Sequence, residues 1–243
     1  MELEVSNIQK FYRGSDGEPD FALDLPTMKF LLGQTIFVMG HNGSGKSVLI
    51  KLLAGEISPS NDYVEVKLGQ KRWRTYEASS AIVRQEAAKN LALDLTVREN
   101  LLLRVKPKSL FEHLFPVFYF DKYVRELVGC HTELSRKLDQ TCSNLSGGQK
   151  QTLAFLVVAS QNFSMLFLDE FLSATDQNAS LLLRRLAKDY AERVPACVLV
   201  VSHDVKMALT DADRILVLRA GRLIQDIDKT SSDWHENFIS SLL

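Results

Sequence analysis

A glycine-rich turn at residues 40–47 restricts the folds open to this chain. It reads Gly-His-Asn-Gly-Ser-Gly-Lys-Ser and fits the pattern GxxxxGK[ST]. The continuous apolar run Thr35–Met39 precedes it, as expected for a strand buried on both faces. Residues 47–54 follow as a predicted helix that ends at Gly55. A strand, this turn and a helix in that order predict a phosphate-binding loop in an α/β fold.

The residues of this loop are predicted to bind ATP. Glycines let the backbone curl so that successive N–H groups converge on phosphate oxygens, and the helix dipole adds a favourable field. Lys46 is expected to bridge the β- and γ-phosphates, and the Ser47 hydroxyl is expected to bind Mg²⁺. The predicted ATP-binding residues here are Gly40, His41, Asn42, Gly43, Ser44, Gly45, Lys46 and Ser47.

A second apolar strand ends in two carboxylates, Asp169 and Glu170. On its own, such an ending usually marks a solvated strand end, but the phosphate-binding loop elsewhere in the chain favours a catalytic interpretation. Asp169 is predicted to hold Mg²⁺, and Glu170 is predicted to polarise the attacking water as a general base.

Periodicity divides the chain into regions of different character. The first 35 residues alternate apolar and polar positions and predict hairpin strands. After residue 145 an α/β pattern returns, with strands at 165–168 and Cys197–Val201, a helix around 179–193 and a late hairpin at 215–224.

Residues 86–145 are predicted to form a helical lobe inserted into this α/β core. Thr96 with Glu99, and Ser109 with Glu112, have the spacing of capping boxes. Six aromatic residues fall within residues 110–123, which predicts either a small helical core or an exposed patch that docks a partner. We predict one domain over residues 1–243, in which 1–85 and 146–243 form the core.

Composition bears on the partners and the compartment of the chain. The formal net charge of -1 gives no general electrostatic reason to expect nucleic acid as a partner. Three cysteines without metal-ligand spacing fit a reduced, cytoplasmic compartment. No basic and apolar leader is expected at the N-terminus, and no apolar run approaches the ~20 residues that span a bilayer.

Residues 145–149, Leu-Ser-Gly-Gly-Gln, match the signature sequence of the ABC ATPase family, and the rest of the chain resembles that family from residue 10 to about 227. The resemblance implies an α/β P-loop NTPase core with a mostly parallel sheet, an N-terminal antiparallel β subdomain and the inserted α-helical subdomain. Residues 91–101 and 146–156 look most like ATP-binding subunits of bacterial uptake systems for small solutes.

The resemblance also implies roles for residues that carry no motif of their own. Gln85 is similar to the glutamine that binds Mg²⁺ and takes part in catalysis, and His203 to the histidine that contacts the γ-phosphate. Asp176 lies in the segment that the family calls the D-loop. Tyr12 resembles the aromatic residue that stacks on adenine, although Phe11 is adjacent and one residue of register decides between them.

The chain departs from the family pattern at a few positions. Phe171 and Leu172 replace the usual pair after the glutamate, Thr175 replaces a leucine, and Glu86 with Ala87 follows Gln85. These departures bear on how two copies close together rather than on nucleotide binding.

The signature implies a site built from two chains. Ser146, Gly147, Gly148 and Gln149 begin a predicted helix whose N–H groups and dipole favour a phosphate. In the family, two subunits lie head-to-tail and hold ATP between Lys46 of one and Ser146 of the other. We therefore expect a second copy, or a related ATPase subunit, as a partner.

The resulting expectation is an ATP-hydrolysing subunit that drives solute transport through a separate membrane permease, on the cytoplasmic side of the membrane. A soluble ABC ATPase acting in complex assembly or on nucleic acid is the alternative, but the short spacing between Gln85 and Ser146 lacks a coiled-coil insertion. A catalytically silent module is disfavoured by the presence of Glu170 and His203.

Overall fold

The computed structural model describes residues 2–6, 8–13, 19–61, 64–69, 71–74, 79–103, 122–125, 128, 132–172 and 175–243. The chain divides into two compact units. The first consists of Met1–Ile82, Phe163–Glu170 and Leu186–Leu243, and the second of Val83–Asn162 and Phe171–Arg185. The second unit is wider than the helical lobe predicted at 86–145, whose bounds stay a prediction.

The first unit is built around a six-stranded sheet with the strand order β12-β11-β5-β10-β9-β8. Strands β9, β10, β5 and β11 are parallel to one another, and β12 runs antiparallel to β11. The strands are β5 (Thr35–Met39), β8 (Ser80–Val83), β9 (Met165–Asp169), β10 (Cys197–Val201), β11 (Arg214–Arg219) and β12 (Arg222–Asp228). The predicted α/β fold with a mostly parallel sheet is therefore confirmed, and so is the late hairpin.

Antiparallel strands from the N-terminal part complete this unit, as predicted. One sheet has the order β4-β1-β6-β7, and β2 pairs with β3 in a second sheet. These strands are β1 (Glu2–Ser6), β2 (Ile8–Arg13), β3 (Pro19–Leu25), β4 (Met28–Leu31), β6 (Glu65–Leu68) and β7 (Lys71–Arg74). No sequence pattern predicted β6, β7 or β8, because each has only four residues and β7 is rich in Lys and Arg.

The helices include α1 (Lys46–Leu53), α2 (Val97–Leu102), α3 (Thr132–Ser135), α4 (Gly147–Ala159), α5 (Gln177–Arg193), α6 (Val205–Asp211) and α7 (Glu236–Leu242). Helix α2 begins with the capping box predicted at Thr96 and Glu99. Ser109 and Glu112, and most of the aromatic segment, lie outside the described residues. Within the described part, no helix is long and apolar enough to cross a membrane.

Burial explains why these segments fold as they do. Strand β10 is buried along its whole length and β9 up to Leu168, as their continuous apolar sequences predict for strands covered on both faces. In α4 every residue from Gln151 to Ala159 is buried, so this helix forms the core of the second unit. The fold thus leaves two polar regions to consider, the carboxyl ends of the parallel strands and the beginning of α4.

Candidate functional site

The loop between β5 and α1 is held in a conformation that requires glycine. Gly40, Gly43 and Gly45 all have positive φ, at 147°, 80° and 106°. A Cβ atom on Gly40 would lie 2.2 Å from the Leu218 carbonyl oxygen and 2.6 Å from the Ser44 hydroxyl oxygen. The Ser44 carbonyl accepts from Gly221 N–H at 3.1 Å, which ties the loop to the turn between β11 and β12. The loop is therefore anchored to the sheet.

Lys46 lies at the centre of this loop. Its side chain is buried, and its Nζ donates to the carbonyl oxygens of Gly40 at 2.7 Å and His41 at 2.9 Å. Burial lowers the pKa of Lys46, and the negative charges of Glu170 and Asp169 partly oppose that effect. The ammonium group is thus confined among oxygen atoms, where a phosphate would find a desolvated cation.

The loop opens on a cavity of about 480 Å³. Its lining includes Tyr12, Arg13, Asn42, Gly43, Gly45, Lys46, Ser47, Val48 and Glu170. The structure therefore brings seven of the predicted site residues together on one cavity, while Gly40, His41 and Ser44 belong to the loop itself. Arg13 was not predicted, since a single arginine beside an aromatic residue carries no motif.

Tyr12, rather than Phe11, lines this cavity. Both side chains are exposed, at 38% for Tyr12 and 47% for Phe11. The Lys10 ammonium lies 5.3 Å from the centroid of the Tyr12 ring and also donates to the Ser58 carbonyl at 2.7 Å. Of the two aromatic residues, Tyr12 is therefore the one at the cavity, and its predicted stacking on a base stays a prediction.

The carboxyl ends of β9 and β10 bring two of the predicted catalytic residues, Glu170 and His203, together. In this parallel pair Asp169 lies opposite Val201, so the residues that follow each strand meet at one edge. Glu170 has φ of 46°, donates its N–H to the Val201 carbonyl at 3.2 Å, and places Oε1 3.0 Å from His203 Nε2. The carboxylate and the imidazole therefore form a hydrogen-bonded pair at the cavity wall.

A second cavity, of about 430 Å³, lies in the second unit at the beginning of α4. It is lined by Glu133, Leu134, Ser146, Gly148, Gln149, Thr152, Asp176, Asn178, Ala179 and Leu182. Ser146 caps the helix: its hydroxyl oxygen accepts from Gln149 N–H at 3.3 Å, and Gln149 Oε1 accepts from Ser146 N–H at 3.2 Å. The bond from Gln149 N–H uses one lone pair of the Ser146 oxygen, and the hydroxyl still has its proton to donate.

Asp176 borders the same cavity and caps α5. Its Oδ1 accepts from Ala179 N–H at 2.9 Å, and the nearby Thr175 hydroxyl donates to the Leu172 carbonyl at 2.8 Å. Ser173 and Ala174 of the predicted D-loop lie outside the described residues. The threonine that departs from the family pattern thus bonds to the Leu172 carbonyl just before the helix.

Gly148 is closely packed against the beginning of α5. A Cβ atom there would lie 2.8 Å from Ala179 Cβ and 3.5 Å from Asp176 Oδ2. We expect Gly148→Ala to destabilise the protein by about 1–3 kcal/mol through overpacking. Chemical denaturation should show a smaller penalty for Gly148→Ala when Ala179→Gly is also present, because the smaller residue removes the clash. Equal penalties in both backgrounds would contradict this packing argument.

Gln85 lies in the second unit, just before a single 3₁₀ turn at Ala87–Lys89, and its side chain is exposed. The preceding residue is fixed, because Arg84 O accepts from Gln151 Nε2 at 2.8 Å and Arg84 N–H donates to Asn90 Oδ1 at 2.9 Å. The roles predicted for Gln85 in catalysis and in Mg²⁺ binding stay predictions.

Comparisons with known proteins agree with this geometry. A family model described as "ABC transporter" matches residues 23–173. The chain is 32% identical over 202 residues to the "Hemin import ATP-binding protein HmuV" of Vibrio vulnificus (strain YJ016), covering 81% of this chain and 75% of that protein. It is 31% identical over 196 residues to the "Thiamine import ATP-binding protein ThiQ" of Haemophilus influenzae, covering 79% of this chain and 86% of that protein.

Solved structures show the same fold. One neighbour is cbiO1 from Clostridium perfringens, described as part of the ABC transporter complex cbiONQ. It has a TM-score of 0.75 at 20% identity and covers 98% of this chain and 92% of that one. Another is a nucleotide-free ATP-binding cassette from an ABC transporter, with a TM-score of 0.74 at 22% identity over 100% of this chain and 95% of that one.

Proposed function

This chain belongs to the ABC transporter family, and from that membership we propose how its residues bind ATP, hydrolyse it and couple hydrolysis to transport. It is an ATP-binding, ATP-hydrolysing subunit of an ABC transporter. The assignment of individual residues rests on the two cavities described above.

The first cavity holds the nucleotide. Tyr12 stacks on the base, and the N–H groups of the glycine-rich loop surround the phosphates. Lys46 exchanges its bonds to the Gly40 and His41 carbonyls for bonds to phosphate oxygens. Burial disfavours the charged form of Lys46 and thereby lowers its pKa. The negative charge of a bound phosphate would stabilise that charged form.

Mg²⁺ fits the same place, because the Ser47 hydroxyl and the Asp169 carboxylate supply the hard oxygen ligands that this ion prefers. Ser47 and Asp169 would hold it, and the ion would neutralise charge on the β- and γ-phosphate oxygens.

Glu170 acts as the general base and His203 as a donor to the γ-phosphate. Their hydrogen bond of 3.0 Å in the isolated chain supports this pairing, since it keeps the imidazole at the edge of the nucleotide cavity. The tautomer that carries a proton on Nε2 donates to Glu170 Oε1 and can transfer that donation to a phosphate oxygen.

A second copy completes the site. The capped beginning of α4, where the Ser146 hydroxyl has a proton to donate, is the single observation that carries this part of the proposal. It is a phosphate-binding arrangement that the nucleotide cavity of the first unit does not include. In a head-to-tail pair of chains, Ser146, Gly147, Gly148 and Gln149 of one copy face the γ-phosphate bound by the other, with Asp176 alongside.

The partner in the membrane is a separate permease, and the cargo is a small solute taken up from outside. Relatives named for the import of hemin and thiamine support this choice. The subunit would then work at the cytoplasmic face of the membrane, where the permease couples its opening and closing to ATP.

Mixing two inactive variants tests the composite site. Lys46→Ala removes the phosphate cation and Ser146→Arg blocks the beginning of α4, so each homodimer has two defective sites. In a mixed pair, the Lys46 of one chain and the Ser146 of the other rebuild one intact site. Only mixed pairs contain an intact site, one of their two, so phosphate release from an equimolar mixture should recover to at most about half of wild-type activity. A mixture as inactive as its components would contradict a site shared between two copies.

A further inference from the structure

The side-chain amide of Gln149 makes three hydrogen bonds to the chain. Its Oε1 accepts from Lys137 Nζ at 2.9 Å and from Ser146 N–H at 3.2 Å. Its Nε2 donates to Glu133 Oε2 at 3.0 Å. The amide is therefore held between a cation and a carboxylate that lie four residues apart in the sequence, and we call this arrangement the Gln149 clamp.

The two charges determine which way the amide faces. An ammonium group only donates hydrogen bonds, whereas a carboxylate only accepts them. If the amide were turned over, its NH₂ group would face both Lys137 and the Ser146 N–H, and its oxygen would face Glu133. Glu133 and Lys137 therefore select the orientation in which Oε1 points to Ser146.

Only this orientation completes the capping box. With Oε1 toward it, the Ser146 N–H is satisfied, and the Ser146 hydroxyl oxygen accepts from Gln149 N–H at 3.3 Å. The remaining hydrogen-bonding capacity of the hydroxyl includes its proton, which is the part that a phosphate oxygen accepts. Glu133 and Lys137 thus act on Ser146, at the beginning of α4, through their bonds to Gln149.

The segment that carries Lys137 is itself well anchored. Lys137 N–H donates to the carbonyl of Leu134, a residue that is 2% exposed. Two backbone N–H groups at the start of α2 also donate into this turn, from Arg98 to Leu138 O at 2.8 Å and from Val97 to Gln140 O at 3.0 Å. A charge on a fixed turn can orient its neighbour, whereas a charge on a loose surface chain cannot.

We infer that Glu133 and Lys137 are positioning residues of the two-copy ATP site, which fix the Gln149 amide and thereby aim the Ser146 hydroxyl at the phosphate. The inference rests on the proposed function, because it assigns Ser146 to the nucleotide of a second copy. Sequence reasoning could not find these residues, since neither belongs to a motif and the contacts cross between α3, its following turn and α4.

The first test removes the cation. Lys137→Met keeps the length of the aliphatic chain and loses the donor to Gln149 Oε1, whereas Lys137→Arg keeps a donor. Arg136→Met is the matched control, because Arg136 is exposed and makes no hydrogen bond or ion pair with the described residues. In the single chain, we expect the backbone amide proton of Ser146 to exchange with solvent about tenfold faster in Lys137→Met than in the wild type. The exchange rate should be unchanged in Arg136→Met and near the wild-type value in Lys137→Arg.

The second test exchanges the charges. In Glu133→Lys/Lys137→Glu the net charge is retained and the two charges change places, so the amide is now favoured in the reversed orientation. We expect this double variant to expose the Ser146 amide as much as Lys137→Met does. If the exchange instead restored wild-type protection, a general ion pair would explain the contacts and the inference would be overturned.

The functional arm uses dimerisation in the Glu170→Gln background with ATP and Mg²⁺. Lys137→Met and the charge exchange should raise the protein concentration for half-maximal dimer about tenfold, while nucleotide affinity of the single chain stays unchanged. Wild-type amide exchange in Lys137→Met would overturn the clamp whatever the dimer does. Suppose instead that the Ser146 amide exchange changes as expected but the Glu170→Gln chain never dimerises. That result would contradict the proposed function and the role of the Gln149 clamp in phosphate binding.

Discussion

Lys46→Ala is expected to abolish measurable ATP hydrolysis and to weaken ATP binding by at least about a hundredfold. The Lys46 ammonium is buried within the loop and now bonds to the Gly40 and His41 carbonyls. Hydrogen bonds to charged groups contribute about 1.5–3 kcal/mol each, so losing two toward the phosphates gives this magnitude. Isothermal titration with ATP and a phosphate-release assay measure the two effects.

Lys51→Ala is the matched control for that substitution. Lys51 lies in the last turn of the same helix α1, so the variant removes the same charge from the same element without touching the cavity lining. It should bind and hydrolyse ATP as the wild type does. If Lys46→Ala bound ATP as tightly as Lys51→Ala, the assignment of the nucleotide to this loop would be wrong.

Glu170→Gln is expected to lower ATP turnover by about 10²–10⁴-fold, the usual contribution of a general base. The amide keeps the size and shape of the carboxylate and can still bond to His203, whose Nε2 lies 3.0 Å from Glu170 Oε1. ATP affinity should therefore remain close to wild type. Single-turnover measurements with labelled ATP separate the chemical step from binding.

Glu192→Gln serves as the control, since Glu192 is exposed on α5 of the same chain and lines neither cavity. It should turn over ATP at the wild-type rate. A Glu170→Gln protein that retains wild-type turnover would remove Glu170 from the reaction, and one that loses ATP affinity instead would assign it to binding.

Local motifs account for the part of the site that the sequence predicts well. Residues 40–47 are contiguous, and their glycines have a physical reason to be there, so the loop follows from the chain alone. The parallel pair β9 and β10 can also be predicted from the sequence, because β9 is apolar up to Leu168 and β10 up to Val201, and polar residues follow both runs. That Glu170 contacts His203 at 3.0 Å depends on their register, which only the structure gives.

The parts of the site that the sequence did not predict depend on contacts between distant segments of the chain. Arg13 reaches the nucleotide cavity from β2, and Glu133 with Lys137 reaches Gln149 from α3 and the turn that follows it. Isolated charges of this kind leave no periodic signal, because their partners are set by packing rather than by spacing. The short strands β6 and β7 were missed for a related reason, since their charged residues hide the pairing of β6 with β1 and of β7 with β6.

The same limits apply to the family resemblance. The signature at residues 145–149 is contiguous and indicates the family from the sequence alone, but the capping box that holds the Ser146 hydroxyl oxygen is a matter of side-chain orientation. Motifs therefore predicted which residues matter, whereas geometry explains what each of them is able to donate or accept.

The central claim is that ATP joins two copies of this chain, and the association state of Glu170→Gln tests it most directly. Light scattering during gel filtration should show a monomer without nucleotide and a dimer with saturating ATP and Mg²⁺, since blocked hydrolysis leaves the bound nucleotide between the copies. The same protein carrying Ser146→Arg should stay monomeric with ATP. A Glu170→Gln protein that remains monomeric while it binds ATP fully, with no membrane partner present, would contradict the claim.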